Sequence, residues 1–178
     1  MAEGGDSHQE PIAAARPMLV WCPMSFSQRI RSVGEPGRIV ILNGASRAGK
    51  TTIAREVQDT FPGVWMNLGM DNHIAATPVS YRPGVGLRPG ASQVAQEVED
   101  MVPILYAALY DSVAAHARLG LNVVMDVKHH DRYSRPRDVL RDCARRLRGL
   151  QVLFVGVRCP VEVIWSRRDD TWGHNRDT

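Results

Sequence analysis

Gly44-Ala45-Ser46-Arg47-Ala48-Gly49-Lys50-Thr51 is the stretch that most limits what this chain can fold into. It fits G-x-x-x-x-G-K-[ST] and sits between two different periodicities. Before it, Arg38-Ile39-Val40-Ile41-Leu42-Asn43 is an apolar, β-branched run that reads as a buried strand. After it, Ile53, Ala54, Val57 and Phe61 recur at the spacing of one helical face. Strand, glycine-bounded loop and helix in that order make a phosphate-binding unit. Glycines at 44 and 49 allow close approach and backbone angles that a Cβ forbids. The loop amides can then turn inward as an anion nest, helped by the positive end of the helix that follows. Gly44, Ala45, Ser46, Arg47, Ala48, Gly49, Lys50, Thr51 and Thr52 are therefore the expected nucleotide-binding residues. Lys50 can reach the β- and γ-phosphates of ATP, and the Thr51 hydroxyl can join a Mg2+ shell. The bland alternative is a strand-turn-helix with a chance glycine pair and a surface lysine. It leaves both correct flanks as coincidence.

The 178 residues suit one domain with a real hydrophobic core. A net charge of +3, with its arginines gathered in 132–148 and 158–168, gives no ground for nucleic acid as a partner. Cys22, Cys143 and Cys159 are scattered without a CxxC pair, so neither a disulfide framework nor a zinc site is expected. Reduced thiols and the lack of a long apolar run point to a cytoplasmic protein without a membrane partner. Residues 1–36 are rich in Gly, Pro, Ala, Ser and charge, and read as a flexible leader; the domain is expected over 37–178.

Further along, Val64 to Leu68 reads as a second strand, with Asp71 just past it. In an open α/β sheet, ligands sit beyond the carboxyl ends of the strands. Asp71 would there face the phosphate loop and could accept a proton from a substrate hydroxyl, or it could simply cap the next helix. The Pro- and Gly-rich stretch 77–90 is assigned to an acceptor pocket, with Tyr81, Arg82 and Arg88 as contacts, against a plain surface excursion. Residues 92–119 carry a helical stripe of Val94, Val98, Val102, Leu105, Leu109, Val113 and His116, which Pro103 should bend or divide. Leu121 to Asp126 is an apolar strand ending in an acid, the form of a Walker B strand whose Asp126 could serve Mg2+ with Thr51.

Val127-Lys128-His129-His130-Asp131 follows on the same cleft edge, as a contact for substrate or phosphate, or with Asp131 or Ser134 capping a helix. Adjacent histidines diverge, so a zinc site is not expected. A surface helix is expected over 135–147, with Val139, Leu140, Cys143 and Leu147 inward. A fourth strand covers 150–157, and a last helix follows Pro160. Arg167 could swing over the nucleotide and offset charge on the transferring group. Alternatively, Arg167 and Arg168 are cations favoured by a helix C-terminus.

Taken together, Ile39 to Lys50, Asp71 in Gly69-Met70-Asp71-Asn72-His73-Ile74, Val123-Val124-Met125-Asp126 and Phe154-Val155-Gly156-Val157-Arg158-Cys159 resemble chloramphenicol phosphotransferase and its relatives among the small P-loop kinases. The resemblance runs from about Arg38 to Arg168. It implies an α/β P-loop NTPase fold: a doubly wound, mainly parallel sheet with helices on both faces. It also implies ATP as donor, Mg2+, and a small-molecule hydroxyl as acceptor. By the resemblance, Asp71 is the base, Lys50 holds phosphate, Thr51 serves the metal and Arg167 is a lid arginine. Antibiotic inactivation, and hence antibiotic resistance, follows only from the family's name. The further lid arginines do not match, with Thr171 and His174 in the nearest places and Arg168 and Arg176 displaced. The expectation is an ATP-dependent small-molecule O-phosphotransferase on a core shortened at its C-terminus. The alternatives are a nucleotide-binding domain with lapsed catalysis and a metabolic kinase of nucleoside or shikimate type. The oligomeric state is not legible.

Overall fold

The computed structural model describes residues 34–82, 94–130 and 133–172. Most of the expected leader lies outside the described residues, as do Arg88, Asp131, His174, Arg176 and the side chain of Thr171. In chain order the elements are β1 (Arg38–Gly44), α1 (Lys50–Thr60), β2 (Trp65–Asn67), α2 (Met70–Ala76), a 3-10 turn (Val79–Tyr81), α3 (Gln96–Asp100), α4 (Val102–Arg118), β3 (Asn122–Val127), α5 (Val139–Arg146), β4 (Gln151–Val157) and α6 (Val161–Trp172).

The four strands form one parallel sheet in the order β2-β3-β1-β4. The chain leaves β1 towards β2 on one side and returns from β3 to β4 across it. The topological switch point, where open α/β sheets bind ligands, is therefore at the carboxyl end of β1, where the phosphate-loop motif begins. Every residue of β3 is buried, as a central strand covered on both faces requires. Alternate residues serve alternate faces. Ile39, Ile41, Val123, Met125 and Val127 pack under Val102, Tyr106, Leu109, Tyr110, Val113 and Ala117 of α4. Leu42 and Val124 pack on the other face against Ala54 of α1, flanked by Ile53 and Val57. The expected doubly wound arrangement is the observed one. Truncating a side chain such as Ile41 in this layer would cost about 2–5 kcal/mol.

One of the two outcomes expected of Pro103 is observed, and several other local expectations are corrected. Pro103 divides the long helical stripe: α3 stops at Asp100, and Pro103 falls in the first turn of α4, where its missing N–H costs nothing. The buried face of α4 includes Tyr106 and Tyr110, which the expected stripe lacked. The helix expected from Arg135 begins only at Val139. Pro136 biases Arg135 away from helical angles. The segment is also pinned from outside: the Ser134 N–H donates to buried Glu99 at 2.6 Å and Arg137 donates to Asp100 at 2.9 Å. Neither Ser134 nor Asp138 caps α5 through its side chain. Within α5, Val139 and Cys143 are buried, but Leu140 turns out to solvent. Phe61 likewise is exposed, because it follows the last turn of α1 and does not extend its face. β4 lies at the sheet edge with Leu153 and Phe154 exposed, and Trp165 of α6 is exposed too. No helix among the described residues is long and apolar enough to cross a membrane.

Candidate active site

The loop from Gly44 to Gly49 leaves β1 and turns straight into α1. Its two glycines act for different physical reasons. Gly49 has φ +97°, a left-handed conformation that side chains resist, and Arg47 shares that region at φ 64°. Residues in this alternation point successive amides towards one concavity, the geometry of an anion nest. Gly44 is needed for space instead: a Cβ there would lie 2.3 Å from the Val157 carbonyl oxygen of β4. Ala48 is buried beneath the loop, while Ala45, Thr51 and Thr52 are exposed and Ser46 is half-buried.

Lys50 is buried, and its Nζ donates to the Gly44 and Ala45 carbonyls at 2.8 Å each. Its pKa lies below the usual lysine value. Desolvation is the main cause and the Lys128 charge the second, partly opposed by Asp126 and Asp71. Those three side chains therefore lie within electrostatic reach of the lysine expected to hold phosphate. Asp71 sits in the first turn of α2, exposed, and does not cap it, since the N-cap is Gly69 and no side chain makes a capping hydrogen bond. As a carboxylate in a first helical turn it is favoured by the dipole. Its charge also acts on Lys50.

Asp126 is buried near the end of β3 and accepts a hydrogen bond from Thr51 Oγ1 at 2.9 Å. This contact joins residues 75 apart in the chain and brings together the two expected metal ligands. A hydroxyl and a single carboxylate are hard oxygen donors of the kind Mg2+ takes when substrate phosphates complete its shell. No cluster of three or more His, Cys, Asp or Glu side chains able to hold a metal occurs among the described residues. Gly69 is a feature the sequence reading passed over. A Cβ there would fall 1.7 Å from Asp126 Oδ1, so the turn before Asp71 packs directly on the Asp126 carboxylate.

Arg167 of α6 lies across the loop: its Nη1 donates to the Arg47 carbonyl at 2.9 Å. The expected lid arginine thus reaches the nucleotide loop. Arg82 is committed elsewhere, donating to the Thr77 and Ala75 carbonyls at 2.9 and 3.2 Å. That employment fits a loop-bracing residue better than an acceptor contact. Tyr81 is partly exposed at the end of the 3-10 turn.

His129 turns away from the cleft edge where the sequence placed it. Its Nε2 shares a hydrogen bond with Tyr110 Oη at 2.7 Å, and its ring stacks on Phe154. Burial, and secondarily the neighbouring His130, pushes its pKa down to about 4. Its backbone N–H donates to Asn43 Oδ1 at 2.9 Å, tying the end of β3 to the residue before the loop. His130 stacks on Tyr133. Nothing in the sequence flagged Asn43 or Tyr110 as partners of His129, because 86 and 19 residues separate the pairs.

The curated relative named "Putative O-phosphotransferase Rv2636" from Mycobacterium tuberculosis is 31% identical over 133 residues, covering 68% of this chain and 57% of the relative. The chain thus spans little more than half the length of that protein. A sugar kinase from Janibacter sp. HTCC2649 superposes with TM-score 0.54 at 24% identity, covering 78% of this chain and 70% of that one. A gluconokinase from Sinorhizobium meliloti 1021 does so with TM-score 0.50 at 19% identity, covering 78% and 67%. These likenesses show an α/β kinase fold. The family described as chloramphenicol phosphotransferase-like protein matches residues 37–177, and this chain belongs to that family.

Proposed function

We propose that this protein transfers the γ-phosphoryl group of ATP to a hydroxyl group of a small molecule. The observation that carries the reading is the meeting of Lys50, Thr51 and Asp126 beside the glycine-bounded loop at the carboxyl end of the sheet, with the Asp71 charge acting on Lys50. In the reaction the acceptor oxygen attacks the γ-phosphorus. The bond from that phosphorus to the β–γ bridging oxygen breaks, and ADP leaves with the electron pair. Asp71 takes the hydroxyl proton as the new P–O bond forms. Lys50 exchanges its loop carbonyls for the phosphates. Thr51 and Asp126 would hold Mg2+, which supplies charge neutralisation on the phosphate oxygens when bound. Arg167, already resting on the loop backbone, offsets charge on the group in transit.

The family's description supports chloramphenicol as the first acceptor to assay, which would make the activity an antibiotic inactivation. The test is phosphoryl transfer from labelled ATP to a panel of chloramphenicol, nucleosides and sugar-like alcohols. We expect one class of acceptor to be labelled. Asp71→Asn should lower kcat by about 100- to 10,000-fold, the usual scale of general-base loss, with ATP binding intact. Full turnover in Asp71→Asn would remove it as the base. ATP binding without transfer to any acceptor would favour a nucleotide-binding domain with lapsed catalysis.

A further inference from the structure

Lys128 bears on Lys50 electrostatically, the reaction proposed above gives it no task, and its placement gives it one. Along β3 the side chains alternate between the two faces of the sheet. Val124 packs with α1 and Asp126 bonds Thr51, on the loop side, while Val123, Met125 and Val127 pack under α4. The alternation persists past the end of the strand, since the ring of His129 rejoins Tyr106 and Tyr110 on the α4 side. Lys128, between Val127 and His129, therefore leaves the chain on the loop side, two positions beyond Asp126. The bond from the His129 N–H to Asn43 Oδ1 locks this backbone beside the entrance to the loop. Lys128 is half-buried and makes no ion pair among the described residues. Its ammonium is near enough to Lys50 for the two charges to repel.

We propose that Lys128 is a second phosphate-binding lysine, which grips the terminal phosphate of the nucleotide from the β3 side while Lys50 grips it from the loop. The inference rests on the ATP-dependent reading above and extends it. Two ammonium groups converging on one anion nest are mutually destabilising until a polyanion lies between them. A triphosphate supplies that anion on the side of the cleft where Lys128 emerges. Asp71, the expected partner of the acceptor hydroxyl, approaches from α2. Lys128 would thereby distinguish a triphosphate from a diphosphate.

Calorimetric titration of the full chain with Mg2+ and either ADP or a non-hydrolysable ATP analogue tests this. The proteins compared are the wild type, Lys128→Met and Lys128→Arg, each checked for an unchanged melting temperature. Loss of one charged contact should weaken binding of the ATP analogue to Lys128→Met by about 10- to 100-fold. Binding of ADP should stay within about twofold, and Lys128→Arg should recover most of the preference. An unchanged triphosphate-to-diphosphate ratio in Lys128→Met would overturn the assignment, and so would equal loss for both ligands. If the wild type bound neither nucleotide, the ATP-dependent reading itself would fall, and this inference with it.

Discussion

His129 offers a test of the fold that needs no substrate. Its ring lies among Tyr106, Tyr110 and Phe154, with His130 next to it in the chain. Burial raises both tyrosine pKa values, so those hydroxyls stay neutral across the working range. No carboxylate is among the groups that move the His129 pKa. The shift from 6.5 to about 4 corresponds to about 3 kcal/mol of preference for the neutral ring in the folded state. Burial depresses the folded-state pKa below the value in the unfolded chain. Above pH 6.5 both states carry a neutral imidazole and the stability is fully present. Between 6.5 and 4 the unfolded chain binds a proton that the folded chain excludes, and stability falls with pH. At pH 5 the loss is about 2 kcal/mol. Urea unfolding followed by tryptophan fluorescence at pH 7.5, 6 and 5 would read it. His73 is also depressed by burial and titrates in the same direction, so the comparison must be with His129→Gln. Glu99 and Asp142 have lowered pKa values, and their contribution disappears only at more acidic pH. The wild type should lose about 2 kcal/mol more than His129→Gln between pH 7.5 and 5. Parallel pH profiles for the two proteins would show that the ring is not held neutral by the fold, and the reasoning would fail.

Two further outcomes follow from the geometry. Gly69→Ala keeps an allowed backbone, with φ −71°, but its Cβ needs the space of Asp126 Oδ1, 1.7 Å away. The carboxylate must swing off Thr51, costing about 1.5–3 kcal/mol of stability by chemical denaturation and raising the Mg2+ needed for half-maximal turnover about tenfold. Wild-type stability together with a wild-type Mg2+ requirement would contradict the packing described. Among the described cysteines, burial pushes the Cys143 thiol up to about 12, while Cys159 is only half-buried. Iodoacetamide at pH 8, read by peptide mass, should therefore modify Cys159 first and reach Cys143 only on unfolding. Early labelling of Cys143 would mean that α5 does not pack as seen.

The sequence alone determined the parts of this protein whose physics is local. A β-branched run, a glycine-bounded loop and a helical periodicity are each written within a few residues, and β1, the loop and α1 stand where that pattern put them. Pro103 announced the break between α3 and α4 for the same reason, since a missing N–H acts on its own turn. The tertiary structure decided what depends on neighbours far away in the chain. Asp126 was recognisable as a strand-ending acid, but only the β1–β3 register carries it to Thr51. His129 looked like a cleft residue until Tyr110 and Phe154 supplied an apolar niche that outweighs its polarity. The delayed start of α5 was invisible because Glu99 and Asp100, more than 30 residues earlier, capture the backbone and arginines that a helix would otherwise have used. Gly44 and Gly69 show the same division. Their presence could be read directly, but the atoms that forbid a side chain there, on Val157 and Asp126, come near only when the sheet has closed.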